Sequence, residues 1–491
     1  MSIGLLVAIL LLVVLILLIV VVLMRGMMFP KMTEPVEAVE APEVEKEVAA
    51  EHLSAAIRIA TVSQTEGEVN RKALDELRRE MEKMYPRVHS SLKREVINQY
   101  SLLYTWEGSN PDLPPVLLAA HMDVVPADPK TLDQWTYPPF AGQVADGYVW
   151  GRGALDLKGQ LIAILEAVEN LLKAGYQPVR RVYLAFGHDE EIGGFDGAQQ
   201  ISSYLEAQGE KLAVVLDEGG MITDGILPGI EVPVAMVGVA EKGYMTLKVT
   251  ATGEMGHSST PPRQTAIGVL AAAIARLENS PMTARTWMAR RMFQSIGAAA
   301  PFLYQVGFAN LWLLGGAIVN KMSKQGSTNA TIRTTAAATM ISGGIKDNVL
   351  PQEANAVINF RLMPGDTIAG VCEHVKKAFN DERVTFQPVE KGAWEPSMIS
   401  SMDSTVYHSL EKIICQIYGY MPVAPYVTLG ATDARYYSPI CENVYRFSPQ
   451  IFGAGDLPRI HGVDERISVE DLAQGVQFYM HLLKTWGEDT L

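Results

Sequence analysis

The sequence predicts an α/β protein: a main unit built on a mixed or parallel sheet, an α+β unit inserted into it, and an apolar helix in front of both. Three observations carry this. The runs VLLAAHMDVV, VYLAFGHDEE and LAVVLDEGG are apolar stretches of strand length, each leading into an acid or imidazole, as strands buried on both faces of a parallel sheet do. The character of the chain changes near Val239 and changes back near residue 391. Ile3 to Met24 is almost wholly apolar.

In chain order the apolar segment comes first. Its 22 residues would reach about 33 Å as a helix, enough for a bilayer core. It lacks the basic start and small-residue cleavage site of a secretory signal, so the reading is a single-pass membrane anchor over residues 3–24. Arg25 and Lys31 follow the span and no Lys or Arg precedes it, which by charge bias alone puts the remainder in the cytoplasm. Two charges leave the side open. Residues 25–50, rich in Glu, Pro, Val and Ala, read as a stalk.

The main unit then occupies residues 51–238 and 391–491. HLSAAIRIATVS, VNRKALDELRREMEKMY and LKGQLIAILEAVENLLKAG read as helices, YSLLYTWEG begins the sheet, and MDSTVYHSLEKIICQIYG is the helix with which the unit resumes. The inserted unit, residues 239–390, holds the strands GYMTLKVTATG, NAVINFRL and RVTFQPVE and the helix TAIGVLAAAIARLE, primed by Pro261 and Pro262. Within it lies a Met-, Ala- and aromatic-rich stretch, residues 282–325. Arg285, Arg290, Arg291 and several Gly and Pro residues interrupt that stretch, so it reads as helices covering the lid or a dimer contact and not as a membrane segment.

The strand ends hold the chemistry. His121, Asp156, Glu191, Asp217 and, far downstream, His461 have the spacing of a two-zinc hydrolase. In an open α/β sheet ligands bind beyond the carboxyl ends of the strands, so side chains there converge on one crevice. A solitary strand histidine would read as structural, and the company of strand-end acids makes it a ligand. Asp123, two residues on and on the same face, can orient or polarise the imidazole of His121. Two divalent ions held close together need a bridging carboxylate to offset their repulsion, for which Asp156 is the candidate. Its ordinary alternative is to cap the helix starting at Leu157. Glu190 and Glu191 point different ways if their strand continues, which suits one ligand and one free carboxylate.

HMDVVP, GRGALDLKG, GHDEE, DEGG, GHSSTPP, NVLPQEANAVINFRLMPG, GATDARYY and RIHGVDERIS follow one another across roughly residues 50–485. In that order they resemble the M20 metallopeptidase and aminoacylase family, and within it the group of N-fatty-acyl-amino-acid synthase/hydrolases and carboxypeptidases S. The resemblance implies two Zn2+ per subunit, or other divalent ions. One would be held by His121 and Asp217, the other by Glu191 and His461, with Asp156 bridging and Glu190 as general base. It implies that the inserted unit is a lid and dimerization domain, that the chain works as a homodimer, and that it faces a lumenal or external compartment. It also implies that His257 reaches the active site of the other subunit and stabilises the oxyanion, and that Asn348 and Arg361 grip the substrate's α-carboxylate. Arg suits the grip because its planar fork binds both oxygens.

The expected reaction is hydrolysis, and in reverse synthesis, of the amide bond of N-acyl amino acids, with metal-held water as nucleophile. Carboxypeptidase action on short peptides is the rival and needs the same site. A membrane-tethered binding protein with structural metals is the reading from another class, but a structural site has no use for a free Glu190. With 48% hydrophobic and 20% charged residues among 491, the chain is not disordered overall. A net charge of −14 argues against a nucleic-acid partner. Cys372, Cys415 and Cys441 are odd in number and widely spaced, so they give no disulfide framework.

Overall fold

The computed structural model describes residues 2–30, 36, 39–64 and 69–489. Among these, ten strands form the main sheet. At its centre Val116–His121 lies between Val182–Gly187 and Val214–Asp217 and runs parallel to both. All residues of the three strands are buried, which is why their sequences lack the alternation of a half-exposed strand. Alternate side chains serve two cores. Val116, Leu118 and Ala120 pack with the helices Lys158–Lys173 and Val469–Trp486, while Leu117 and Ala119 pack with the helix Ala198–Ala207 on the other face. Ser101–Trp106 runs antiparallel to Val182–Gly187, and Val234–Glu241 antiparallel to Val444–Arg446, so the sheet is mixed.

The inserted unit is a separate antiparallel sheet in the order Thr335–Gly343, Glu353–Leu362, Gly243–Thr252 and Val384–Trp394. Helices Ala266–Glu278 and Ile368–Phe379 cover one face, and every second residue of Gly243–Thr252 is buried under them. Thr265 caps the first helix by accepting from the Gly268 N–H. A short ribbon pairs Gly256–His257 with Val349–Leu350. The strand Thr335–Gly343 is missing from the sequence reading. Its run TAAATMISG is Ala-rich and exposed along nearly its whole length, so it has no alternation to find.

Three boundaries differ from expectation. The N-terminal apolar helix spans Ile3–Met27, three residues beyond Met24. The helix Lys46–Arg58 buries Ala49 and Ala50 in the main core, so the folded body begins inside the segment read as stalk. Residues 31–35 and 37–38 of that stalk lie outside the described residues. The 282–325 stretch, expected to cover the lid or a dimer contact, touches the lid core through Met282. Its helix Trp287–Ile296 packs on the main-sheet strand Val423–Thr428, and Phe293 and Ile296 share a core with Ile230, Val234 and Ala424.

Candidate metal centre and active site

The three parallel strands end at one edge of the sheet. His121 and Asp217 are the last residues of their strands, and Glu190–Ile192 forms a 3-10 turn just beyond the third. Asp156 lies before the helix Lys158–Lys173, whose N-cap is Leu157, so Asp156 is not spent as a cap. One oxygen of Asp156 stands 2.9 Å from His121 Nε2 and the other 3.1 Å from His461 Nε2, which in turn is 3.2 Å from Glu191. Two three-residue groups result, His121 with Asp156 and Glu218, and Asp156 with Glu191 and His461. Asp156 belongs to both.

Ligand atoms about 2.0–2.1 Å from a tetrahedral ion stand roughly 3.3 Å apart, and these spacings fit that figure. The donor set is imidazole and carboxylate without thiolate, which suits zinc and other divalent ions and not the soft ones. Glu191 Oε1 and Asp217 Oδ2 are buried with no hydrogen-bond partner. Among the described residues no Lys or Arg side chain is bonded to Asp156, Glu190, Glu191, Asp217 or Glu218. Buried acids without a cation are costly, so the residues fit a pair of divalent ions.

Asp217 does not join the first group. Its neighbour Glu218 takes the place, with Oε1 3.6 Å from His121 Nε2. Successive residues of a strand point to opposite faces, and the sequence DEGG holds no signal for which of its two acids faces the crevice.

Asp123 does more than expected. His121 Nδ1 lies 2.9 Å from its backbone carbonyl, and an Nδ1–H tautomer leaves Nε2 free for an ion. The carboxylate of Asp123 accepts the backbone N–H groups of Glu190 at 3.1 Å and Glu191 at 3.3 Å, so one buried acid fixes both the imidazole and the turn carrying two glutamates.

Glu465 is absent from the sequence reading. Its Oε1 accepts from the N–H groups of Gly153, Leu155 and Asp156 at 3.0, 2.8 and 3.1 Å. Its other oxygen pairs with Arg152, which donates to the carbonyls of His461 and Gly462. This buried pair ties the Asp156 loop to the His461 loop. The available signal was an arginine in GRGALD and a glutamate four residues past His461.

Electrostatics reflect the crowding. Burial, then the neighbouring Glu218, pushes the Glu190 carboxyl well above its ordinary range, and burial, then Asp156, does the same to Glu218. Burial pushes Asp217 up to about 6. Hydrogen bonds to Asp156 and Glu191 raise His461 to about 10. Burial alone would lower His121, but Glu218, Asp123 and Asp156 carry it well above its usual value.

The lid residues stand apart from this cluster. His257 is exposed and bonds Ser259, 2.8 Å away, while its strand pairs with Val349. Asn348 accepts from the Ser258 N–H through its backbone, beside His257. Arg361 pairs across the sheet with Tyr244, eight residues along its strand from Glu353, where the His257 ribbon begins. That stretch of strand is about 26 Å long at 3.3 Å per residue. Arg361 heads a stack. Its guanidinium lies over Tyr244, Tyr244 stacks on Trp394, and Trp394 faces Arg435, which donates to the Gly193 carbonyl just past the Glu190–Glu191 turn.

The family description "Peptidase family M20/M25/M40" matches residues 117–485. The N-fatty-acyl-amino acid synthase/hydrolase PM20D1 of Xenopus tropicalis is 42% identical over 457 residues, 92% of this chain and 88% of that protein. The probable carboxypeptidase S-like 2 of Dictyostelium discoideum is also 42% identical, over 402 residues, 82% of this chain and 77% of that protein. Among solved structures, the M20 family metallo-carboxypeptidase Sso-CP2 from Sulfolobus solfataricus aligns with a TM-score of 0.60 at 19% identity, covering 91% of this chain and all of that one.

Proposed function

Since the chain belongs to the M20/M25/M40 peptidase family and is a metallohydrolase, we propose that it cleaves, and in reverse forms, the amide bond of N-acyl amino acids. Support for the acyl substrate comes from the 42% identity with the Xenopus synthase/hydrolase across nearly the whole chain. The ions are proposed to be zinc, held by His121, Asp156, Glu191 and His461, with the adjacent Asp217 and Glu218 competing for the remaining place. Such ions would acidify water and polarise a carbonyl.

Within that frame Glu190 is the general base. The observation that carries the reading is its position: the N–H groups of Glu190 and Glu191 are pinned by Asp123, while the Glu190 carboxylate accepts no bond from the protein among the described residues. It takes the proton of the attacking water and returns it to the leaving amine. Arg361 of the same chain holds the substrate carboxylate. His257 of the partner subunit donates to the tetrahedral oxyanion, and Asn348 of the partner subunit closes the grip from the opposite side. The division is supported by the roughly 26 Å of strand between Glu353, near the ribbon end, and Arg361.

A second reading, carboxypeptidase action on short peptides, is supported by the equal identity to the Dictyostelium relative. A mass-spectrometric turnover screen of the zinc-loaded full chain separates the two. Long-chain N-acyl amino acids should be cleaved faster than dipeptides, and their carboxamides should be poor substrates. Faster turnover of dipeptides assigns the peptidase reading, and equal turnover of carboxamides removes the role of Arg361.

A further inference from the structure

Two helices of the 282–325 stretch leave a large apolar surface uncovered. Phe302–Ala309 and Leu311–Met322 meet at 111°, and Leu311–Met322 has no buried residue. Phe302, Leu303, Trp312 and Leu313 are exposed, Leu303 by 78%. The 21 residues from 302 to 322 carry a single charge, Lys321, near their end. Such a patch marks an interaction surface, and its neighbour indicates what covers it.

The helix Phe302–Ala309 packs on the last turns of the anchor helix. Asn310 Nδ2 donates to the Val22 carbonyl at 2.9 Å, and Arg25 Nε donates to the Ala309 carbonyl at 3.2 Å. Gly26 lies so close to Val306 that a Cβ there would come within 2.5 Å of its Cγ2. The anchor itself, 25 residues and about 37 Å long, buries nothing but Gly26 against protein. Its uncovered apolar side chains suit lipid, and the hairpin is bonded to the end at which it would leave a bilayer. Helices of 8 and 12 residues, about 12 and 18 Å, are each too short to cross.

We propose that residues 302–322 lie in the interfacial layer of a phospholipid bilayer, beside the emerging anchor, and hold the main unit against the membrane at a second point. Arg25, Lys321 and Lys324 sit at the margins of this surface, where headgroup phosphates would meet them. The hairpin is rooted through the core containing Val234 and Ala424. Asp217 is level with Arg446 and hence with Gly238, and Val234 lies four residues, about 13 Å, further toward the carboxyl ends of the central strands. The crevice edge of the sheet therefore faces the membrane side. The bilayer contact does not depend on which amide the site cleaves.

The test uses the full chain in phosphatidylcholine vesicles, with Cys372→Ser to remove the one part-exposed thiol. Single environment-sensitive fluorophores are attached at Leu303→Cys, Leu313→Cys, Leu17→Cys in the anchor and Ile345→Cys, 99% exposed on the lid. Spin-labelled lipids should quench positions 17, 303 and 313 by about half or more, because interfacial helices seat their apolar face roughly 5–10 Å into the headgroup boundary. Position 345 should not change. Quenching at 17 without quenching at 303 and 313 overturns the proposal, as does absence of quenching at 17. Shielding of 303 and 313 from aqueous iodide without lipid quenching also overturns it and assigns the patch to a second copy of the chain.

Discussion

In the main unit the candidate catalytic residues hold one another. Asp156 stands within 3.1 Å of both His121 and His461, Asp123 fixes the glutamate turn, and Glu465 with Arg152 ties two distant loops together. In the lid, the His257 side chain is exposed and, among the described residues, bonded only to Ser259, and Asn348 lies beyond the end of the strand opposite Arg361. The difference teaches that one chain gathers a candidate metal centre in its main unit, whereas the lid residues proposed for the oxyanion and the carboxylate stand apart from it. The main unit is preorganised; on the reading proposed above, the lid serves a site in the other subunit.

The comparison breaks most readily at its strongest point. Asp156→Asn should cost both metal ions and all measurable turnover, because Asp156 is the member common to both groups. Metal analysis retaining two ions removes the shared-ligand geometry. Glu190→Gln should keep both ions and lower kcat by about 10²–10⁴-fold, the usual worth of a positioned general base. A loss of metal instead would make Glu190 a ligand. Between Asp217→Asn and Glu218→Gln, the variant that weakens metal binding by about 10–100-fold or more identifies the ligand, the other acting through its neighbour. Equal, small effects from both would leave the His121 ion without its third protein ligand.

The smallest effect probes the joint between the two regions. Lys242 lies between the main-sheet strand Val234–Glu241 and the lid strand Gly243–Thr252, buried, with Nζ donating to the Arg333 carbonyl. Burial, reinforced by the charge of Arg361 and opposed by Asp366, lowers its ammonium to about 8. The folded pKa lies below the ordinary lysine value of 10.5, so the stability contribution is fully present above that value and is lost as pH falls through about 8. Unfolding free energies from urea titration of the full chain should therefore rise with pH between these limits relative to Lys242→Met, by roughly 1 kcal/mol per pH unit. Parallel pH profiles would show that the joint does not bury a charge.

How much was legible follows the physics of each element. The central strands were readable because burial on both faces leaves continuous apolar runs, and their terminal acids stand out against them. Glu218 was hidden because adjacent strand-end acids differ only in the face they take. Glu465 was hidden because three of its four bonds come from backbone N–H groups, which no side-chain spacing encodes. Thr335–Gly343 was hidden because an exposed Ala-rich strand has no period. The interruptions in the apolar stretch after residue 282 do not distinguish a lid cover from helices packed on the main sheet.

The central claim is that the main unit of one chain is completed by the lid of another. It is tested by mixing two inactive chains, Glu190→Gln and His257→Ala, with different affinity tags. In a mixed dimer one of the two sites combines an intact Glu190 with an intact His257 from the other chain. Equal mixing places half the dimers in that state, so activity should recover to about one quarter of wild type. Mixed dimers that are captured by both tags yet remain inactive would contradict the account.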